Sequence, residues 1–242
     1  MIGFREAGYT RNGRVLVGPV TLTVKAGEVV VLLGASGAGK TTTLRLANGL
    51  ILPTAGAVLV EDRPTAAWDG IRLRRRMGYM IQETGLLPHL SVAANIGLLP
   101  RLEGWPPDRI ASRIAHLLDL VGLEPALAAR YPHTLSGGQR QRVGVARALA
   151  LDPPILLCDE PFGAVDPVTR RALRREFSRL VRDLGKTVVF VTHDVREAEH
   201  LATRIAVLDA GAVVFAGPPE AFRTSVHPVV RALQDDDRQE PR

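Results

Sequence analysis

The sequence predicts an α/β fold whose core is interrupted by a helical insertion, and three observations predict it. An apolar run at 29–33 leads into a glycine-rich segment at 34–39, then into a helix-forming stretch that ends near Gly49. From residue 155 onward, short apolar runs alternate with amphipathic stretches, the rhythm of strand, helix and strand. Between these, from about 90 to 151, apolar residues recur at helical spacing instead.

Taken in order, residues 15–24 and 28–33 read as short strands joined by the turn Lys25-Ala26-Gly27. Residues 57–60 read as another strand, after the turn Pro53-Thr54-Ala55-Gly56. The basic segment 71–76, with Arg72, Arg74, Arg75 and Arg76, reads as a solvated face before a buried strand at 77–81. Ile110, Ile114, Leu117, Leu118 and Val121 mark one face of a helix that Gly122 should end. A second helix is expected over 138–149. Strands at 155–158, 187–192, 204–209 and 212–216 then alternate with helices at 167–184 and 195–202. The acidic run Asp235-Asp236-Asp237 makes 226–242 a tail expected to be disordered.

Composition narrows the class. The chain has 242 residues, 46% hydrophobic and 23% charged, the balance of a globular protein with a real core. Its formal charge of +6 is almost all arginine, since Lys25, Lys40 and Lys186 are the only lysines. Such a balance fits either nucleic acid or an anionic membrane surface. The single cysteine, Cys158, sits in an apolar strand, which excludes an intrachain disulfide and suits a reducing compartment. Residues 1–10 lack the apolar core of a leader, and no run approaches the ~20 apolar residues that span a bilayer. A cytoplasmic protein is expected, reaching any membrane through a partner on its inner face.

Two segments carry recognisable chemistry. The first is Gly34-Ala35-Ser36-Gly37-Ala38-Gly39-Lys40-Thr41, with Thr42 following, in the pattern G-x-x-x-x-G-K-[ST] between a strand and a helix. Its glycines permit backbone angles that a side chain would block. Successive N–H groups then turn inward around phosphate oxygens, and the helix aims its positive end at the same anion. Lys40 would reach the β- and γ-phosphates, and the Thr41 hydroxyl would ligate Mg²⁺. The second is Ile155-Leu156-Leu157-Cys158-Asp159-Glu160, a strand buried on both faces that ends in two acids. Asp159 would hold Mg²⁺ and Glu160 would polarise an attacking water as general base.

Between these two lies Leu135-Ser136-Gly137-Gly138-Gln139. The series of phosphate loop, five-residue signature and carboxylate strand resembles the ATP-binding cassette (ABC) ATPases, over residues 9 to about 218. The resemblance implies a RecA-like P-loop NTPase core with an N-terminal antiparallel β subdomain and an inserted helical subdomain. The ABC domain would span 1–225, with its core at 1–85 and 152–225 and the helical subdomain at about 86–151.

The resemblance also implies a head-to-tail dimer, with ATP between the phosphate loop of one copy and the signature of the other. Ser136, Gly137, Gly138 and Gln139 would then face the γ-phosphate held by the partner. Gln82 matches the family glutamine that touches Mg²⁺ and the attacking water. His193 matches the switch histidine at the γ-phosphate. Asp166, in Gly163-Ala164-Val165-Asp166, matches the loop that signals across the dimer, with Val165 where the family often has leucine. Tyr9 matches the aromatic that stacks on adenine; such stacking is worth roughly 1–3 kcal/mol per base elsewhere.

Wider likeness narrows the cargo. Gln82-Glu83-Thr84-Gly85-Leu86-Leu87-Pro88-His89 and Asn95-Ile96-Gly97-Leu98-Leu99-Pro100 are similar to segments of quaternary-amine importer ATPases. So are Pro153-Pro154-Ile155-Leu156-Leu157 and the stretch from Pro161-Phe162 to Thr169-Arg170. The implied partners are a second ABC domain, permease subunits docking on a groove at 83–100, and, indirectly, a substrate-binding protein. Leu86, Leu87, Leu90 and Leu98 would form that groove's apolar floor. No nucleic-acid partner is expected. Two other classes stay open: an ABC ATPase for another cargo, such as an amino acid, an anion or a lipid, and a soluble ABC ATPase acting on nucleic acid.

Overall fold

The computed structural model describes residues 1–82, 84–163 and 165–239. In chain order its elements are β1 (Ile2–Arg11), β2 (Arg14–Val24), β3 (Val29–Leu33), α1 (Lys40–Ala47), β4 (Ala55–Val60), β5 (Arg63–Pro64), α2 (Gly70–Arg75), β6 (Met77–Met80), α3 (Val92–Ile96), α4 (Leu98–Leu102) and α5 (Pro107–Leu120). There follow α6 (Gly137–Ala148), β7 (Ile155–Asp159), α7 (Pro167–Asp183), β8 (Thr187–Thr192), α8 (Val195–Leu201), β9 (Arg204–Asp209), β10 (Ala212–Gly217), α9 (Pro219–Arg223) and α10 (Pro228–Gln239). They fall into two compact units, Met1–Arg74 together with the segment from Phe177 on, and Arg75–Glu176.

The first unit holds an antiparallel sheet in the order β2-β1-β4-β5 and the strands β10-β9-β3-β8. β3 is at the heart of the latter. Every residue of its Val-Val-Val-Leu-Leu run is buried, because parallel neighbours cover both edges, β8 in register from Val29↔Val188 to Leu33↔Thr192 and β9 from Val30↔Arg204 to Leu33↔Val207. Rows of β-branched side chains suit that doubly covered position.

The second unit pairs β6 with β7 in parallel, from Met77↔Ile155 to Met80↔Cys158. Gly78 makes this unit's packing possible, since a Cβ there would lie 2.2 Å from the Ala148 carbonyl oxygen at the end of α6. α5 ends as its sequence foretells: Gly122 (φ 65°) donates to the Asp119 carbonyl and Leu123 to the Leu118 carbonyl, a Schellman closure.

α5 and α6 cap each other through arginines. Arg113 on α5 donates to the carbonyls of Leu149 (2.7 Å) and Ala150 (3.1 Å) just past α6. Arg142 on α6 donates to the Val121 carbonyl (2.5 Å) at the end of α5 and pairs with Glu176 (2.6 Å). A cation at a helix C-terminus satisfies orphan carbonyls and opposes the dipole's negative end.

Two sequence expectations need correction, at the N-terminal strand and at the C-terminal tail. The N-terminal strand β1 is absent from the reading that begins strands at 15. Its alternation is broken by register shifts at Phe4/Ala7, Ala7/Tyr9 and Tyr9/Thr10, with Glu6 at φ 47°. The segment 71–76 presents the solvated face expected of it, on the short helix α2: Arg72, Arg74 and Arg76 are exposed over a buried Leu73. The tail expected to be disordered from 226 instead forms α10. Val230 is fully buried there, and Gln234 donates to the Phe222 carbonyl (2.5 Å). The acidic run hides a helix whose apolar face docks on its own unit; residues 240–242 lie outside the described residues.

Candidate functional site

In the first unit the phosphate-loop pattern folds as its glycines require. Gly34 leaves β3 so close to β9 that a Cβ would lie 2.2 Å from the Leu208 carbonyl oxygen. Gly37 (φ 83°) and Gly39 (φ 96°) occupy left-handed backbone, and a Cβ at Gly39 would lie 2.7 Å from the Leu16 carbonyl oxygen. Ala35, Ser36 and Gly37 are exposed while Ala38 is buried, so the loop presents its backbone outward and anchors through one methyl. α1 starts directly from Gly39 with no side-chain cap. The positive end of this helix dipole therefore points along the loop, where an anion would complement it.

Lys40 opens this helix and is 95% buried, with Nζ donating to the Gly34 (2.7 Å) and Ala35 (2.8 Å) carbonyls. Its cation is thereby held across the loop it serves. Thr41 and Thr42 follow, both half-buried.

His193 leaves β8 in the same unit. A buried network sets the turn that carries it: the Thr192 hydroxyl donates to Glu197 Oε2 (2.7 Å) and accepts the Asp194 N–H (3.0 Å). Asp194 in turn caps α8 by accepting the Glu197 N–H (3.0 Å). The histidine is exposed above these locked neighbours. Tyr9 is half-exposed on β1, opposite Val17 and between two register shifts. Val17 Cγ2 would lie 3.4 Å from a Cβ at Gly39, so the strand paired with Tyr9 flanks the phosphate loop.

In the second unit the parallel pairing of β6 and β7 brings two chain ends to one edge. Met80 lies opposite Cys158, so Gln82, two residues on, and Asp159-Glu160 leave the pair at the same level. Asp159 is buried, with the Tyr79 hydroxyl 3.5 Å from Oδ2. Its charge adds to the effect of burial in pushing the Cys158 thiol up, so Cys158 is a neutral core residue. Glu160 has φ 44°, an unusual angle for a side-chain-bearing residue and the kind found where a reactive group is turned out of a strand. Gln82 is exposed, and Glu83 lies outside the described residues.

The signature forms the start of α6. Ser136 Oγ accepts the Gln139 N–H (3.2 Å) while Gln139 Oε1 accepts the Ser136 N–H (2.9 Å), a complete capping box. The capping box is compatible with an anion at the same helix start. The box occupies two N–H groups and leaves those of Gly137 and Gly138, together with the Ser136 O–H proton, for an outside acceptor. Gly138 is also required for packing, since a Cβ would lie 2.8 Å from Thr169 Cγ2. Asp166 caps α7 by accepting the Thr169 N–H (3.0 Å), which holds its carboxyl below the usual range although it is exposed. Ala164, beside it in the same loop, lies outside the described residues.

Thr41, Gln82 and Asp159 offer only oxygen donors, the class that Mg²⁺ takes alongside phosphate oxygens. No group of His, Cys, Asp or Glu among the described residues forms a protein-only metal cage.

The segment that follows Gln82 carries a group the sequence did not flag. Asn95 is fully buried, accepts the Leu87 N–H (2.8 Å) and donates to the carbonyls of Leu87 (3.1 Å), Leu90 (3.0 Å) and Ser91 (3.0 Å). It fixes the loop that carries Leu86, Leu87 and Leu90, all three half-buried, as is Leu98.

Comparison with known proteins follows from this geometry. The sequence profile described as "ABC transporter" matches residues 17–163. The chain is 47% identical over 210 residues to the glycine betaine/carnitine/choline transport ATP-binding protein OpuCA of Bacillus subtilis (strain 168), covering 87% of this chain and 55% of that protein. It is 49% identical over 224 residues to the glycine betaine uptake system ATP-binding protein YehX of Escherichia coli (strain K12), covering 93% of this chain and 73% of that protein. The chain thus spans little more than half the length of some curated relatives it matches. Among solved structures it is similar to a dimeric ATP-binding cassette in a post-hydrolysis state bound to ADP and Pi, with a TM-score of 0.79 and 33% identity, over 90% of this chain and 99% of that one.

Proposed function

Because the chain belongs to the ABC transporter family, we propose that it is the ATP-hydrolysing subunit of an importer for a quaternary-amine osmoprotectant such as glycine betaine. The observation that carries the ATPase reading is the phosphate loop: two glycines, Gly34 and Gly39, where a side chain would clash with main-chain oxygens, a third, Gly37, in left-handed backbone, a helix start without a side-chain cap, and a buried Lys40 cation held across them. The cargo rests on the printed activities of OpuCA and YehX.

In this reading Lys40 and the N–H groups from Gly34 to Thr42 hold the β- and γ-phosphates. Tyr9 stacks on the adenine. Thr41, Gln82 and Asp159 take Mg²⁺, which when bound neutralises charge on the phosphoryl oxygens. Glu160 accepts a proton from the attacking water, and Gln82 and His193 orient water and γ-phosphate. Ser136, Gly137, Gly138 and Gln139 close over the ATP of a second copy, with Asp166 beside that junction. ATP binding closes the dimer, and hydrolysis with phosphate release reopens it. Permease subunits dock on the 83–100 groove and receive cargo from a substrate-binding protein. No helix among the described residues is long and apolar enough to cross a membrane.

The test is to assemble the chain with candidate permeases and a betaine-binding protein in liposomes, then record ATP hydrolysis with and without glycine betaine. Stimulation by glycine betaine is the expected result. Hydrolysis that ignores betaines but responds to another cargo would move the substrate. An assembled complex that does not hydrolyse ATP would overturn the reading.

A further inference from the structure

Two residues after Gln82 the backbone takes left-handed angles at consecutive positions, Thr84 (φ 58°) and Gly85 (φ 54°). A β-branched residue rarely adopts that angle. Gly85 suits the second, since only glycine takes that angle without strain; a Cβ there would also meet Ile81 Cδ1, the free end of an exposed side chain, at 2.3 Å. The result is that the two carbonyls face one side chain. Arg147, on α6, donates to the Thr84 carbonyl through Nη2 (2.6 Å) and to the Gly85 carbonyl through Nη1 (2.5 Å). One turn earlier on α6, a Cβ at Gly144 would lie 3.8 Å from Thr84 Cβ, so the helix and the loop are in van der Waals reach there too. Burial lowers the Arg147 pKa by desolvation, a cost that two short charge-assisted bonds offset.

The same helix begins with the signature Ser136-Gly137-Gly138, and the same loop continues into the segment that Asn95 pins from Leu87 to Ser91. A planar fork with two parallel donors fixes both distance and orientation, which a point cation does not.

We propose that Arg147 is a positioning residue for ATP hydrolysis: it latches the strained turn after Gln82 onto the signature helix, so that Gln82 and the signature move as one piece. This rests on the ATPase reading above. Arg147 touches no proposed substrate group; it acts through the main chain at Thr84 and Gly85. Displacement of the docking loop by a permease would therefore reach the signature through this guanidinium, and closure of the signature on ATP would reach the loop by the same path.

The experiment is a double-mutant cycle on the full chain, with Arg147→Lys, Gln82→Ala and their combination, read as kcat, KM for ATP and the Mg²⁺ concentration for half-maximal rate. Arg147→Lys retains the charge and loses the fork. It should lower kcat about tenfold and raise the Mg²⁺ requirement, while KM for ATP stays within about twofold, because the phosphate loop is untouched. In the Gln82→Ala background the same change should cost less than about twofold, since the residue it acts through is gone. Amide exchange, which needs no nucleotide, should quicken at 84–91 and not in α1 or β3.

Fully additive losses in kcat, or unchanged exchange at 84–91, would overturn the latch. Gly85→Ala strains the left-handed backbone (φ 54°) that aims the same carbonyl while leaving Arg147 intact, and should show the same non-additivity; it keeps the test decisive where Arg147→Lys does not fold. A wild-type chain without ATPase activity would instead overturn the ATPase reading, and the exchange result would still report whether the latch exists.

Discussion

Gly34→Ala isolates the phosphate loop's dependence on a close backbone approach. A Cβ at position 34 would lie 2.2 Å from the Leu208 carbonyl oxygen, about 0.8 Å inside the 3.0 Å below which real Cβ contacts essentially do not occur. Leu208 cannot yield cheaply, because it is buried in β9, paired with β3 on one side and β10 on the other. The loop must therefore move by roughly that distance, and misplacement near 1 Å costs about 100-fold in rate where positioning supplies the catalysis. Forcing a side chain into the Gly34 conformation (φ 154°) adds about 1–3 kcal/mol of strain, or roughly 2–12 °C in melting temperature for a chain of this size. The control is Gly37→Ala, where nothing lies within 4 Å of the added Cβ and only the backbone penalty of about 1 kcal/mol applies. Titration with a fluorescent ATP analogue, ATPase rates and thermal unfolding give the three readouts. Wild-type nucleotide affinity in Gly34→Ala, or equal melting temperatures for the two variants, would refute the reasoning.

Glu160→Gln should trap an ATP-bound dimer and slow turnover by about 10²–10⁴-fold, the share a positioned general base supplies; size-exclusion chromatography and single-turnover kinetics check it, and a fully active mutant would reject Glu160 as the base. Leu87→Asp should abolish coupling to permeases and leave ATP binding intact, because Asn95 holds the Leu87 main chain rather than its side chain; co-purification that survives the change would remove Leu87 from the groove. Arg113→Ala removes the side-chain donor from the Ala150 carbonyl and leaves the Leu149 carbonyl with only the Asp152 N–H, at a cost of about 1–3 kcal/mol, measurable as a lower melting temperature with little change in nucleotide affinity. Glu197→Ala removes the acceptor of the Thr192 hydroxyl beneath the His193 turn. It should lower kcat more than it raises KM, and an unchanged kcat would show that His193 needs no such support.

What could be read from sequence is what chemistry writes into neighbouring residues. A phosphate loop needs its glycines, lysine and threonine within eight positions, because the anion is small and one turn of backbone wraps it. A buried parallel strand declares itself as an unbroken apolar run, so β3, β7, β8 and β9 fall where expected to within a residue or so. The signature was legible for the same reason, a serine, two glycines and a glutamine opening one helix. Where period-2 alternation failed, so did the reading: β1 carries one register shift after another around Glu6 and Tyr9, and extra residues throw the pattern out of phase. α10 was lost behind its aspartates, which say nothing about the opposite face that carries Val230.

The supports of the site were invisible for a different reason. Arg147 reaches carbonyls 62 and 63 residues away, Arg113 reaches 36 and 37, and Arg142 reaches 21. Each donates to main-chain oxygens, which every residue carries, so nothing in the sequence marks those acceptors. Arginine is also so abundant here that these three look like the rest of the basic surface. Desolvated forks on carbonyls separate them from solvated charges, and that difference exists only after folding. Arg113, Arg142 and Arg147 all bind to or from α6, the helix that presents Ser136, Gly137 and Gly138. The net positive charge that composition alone would assign to a membrane or a nucleic acid is therefore spent, in part, on holding the signature helix in place.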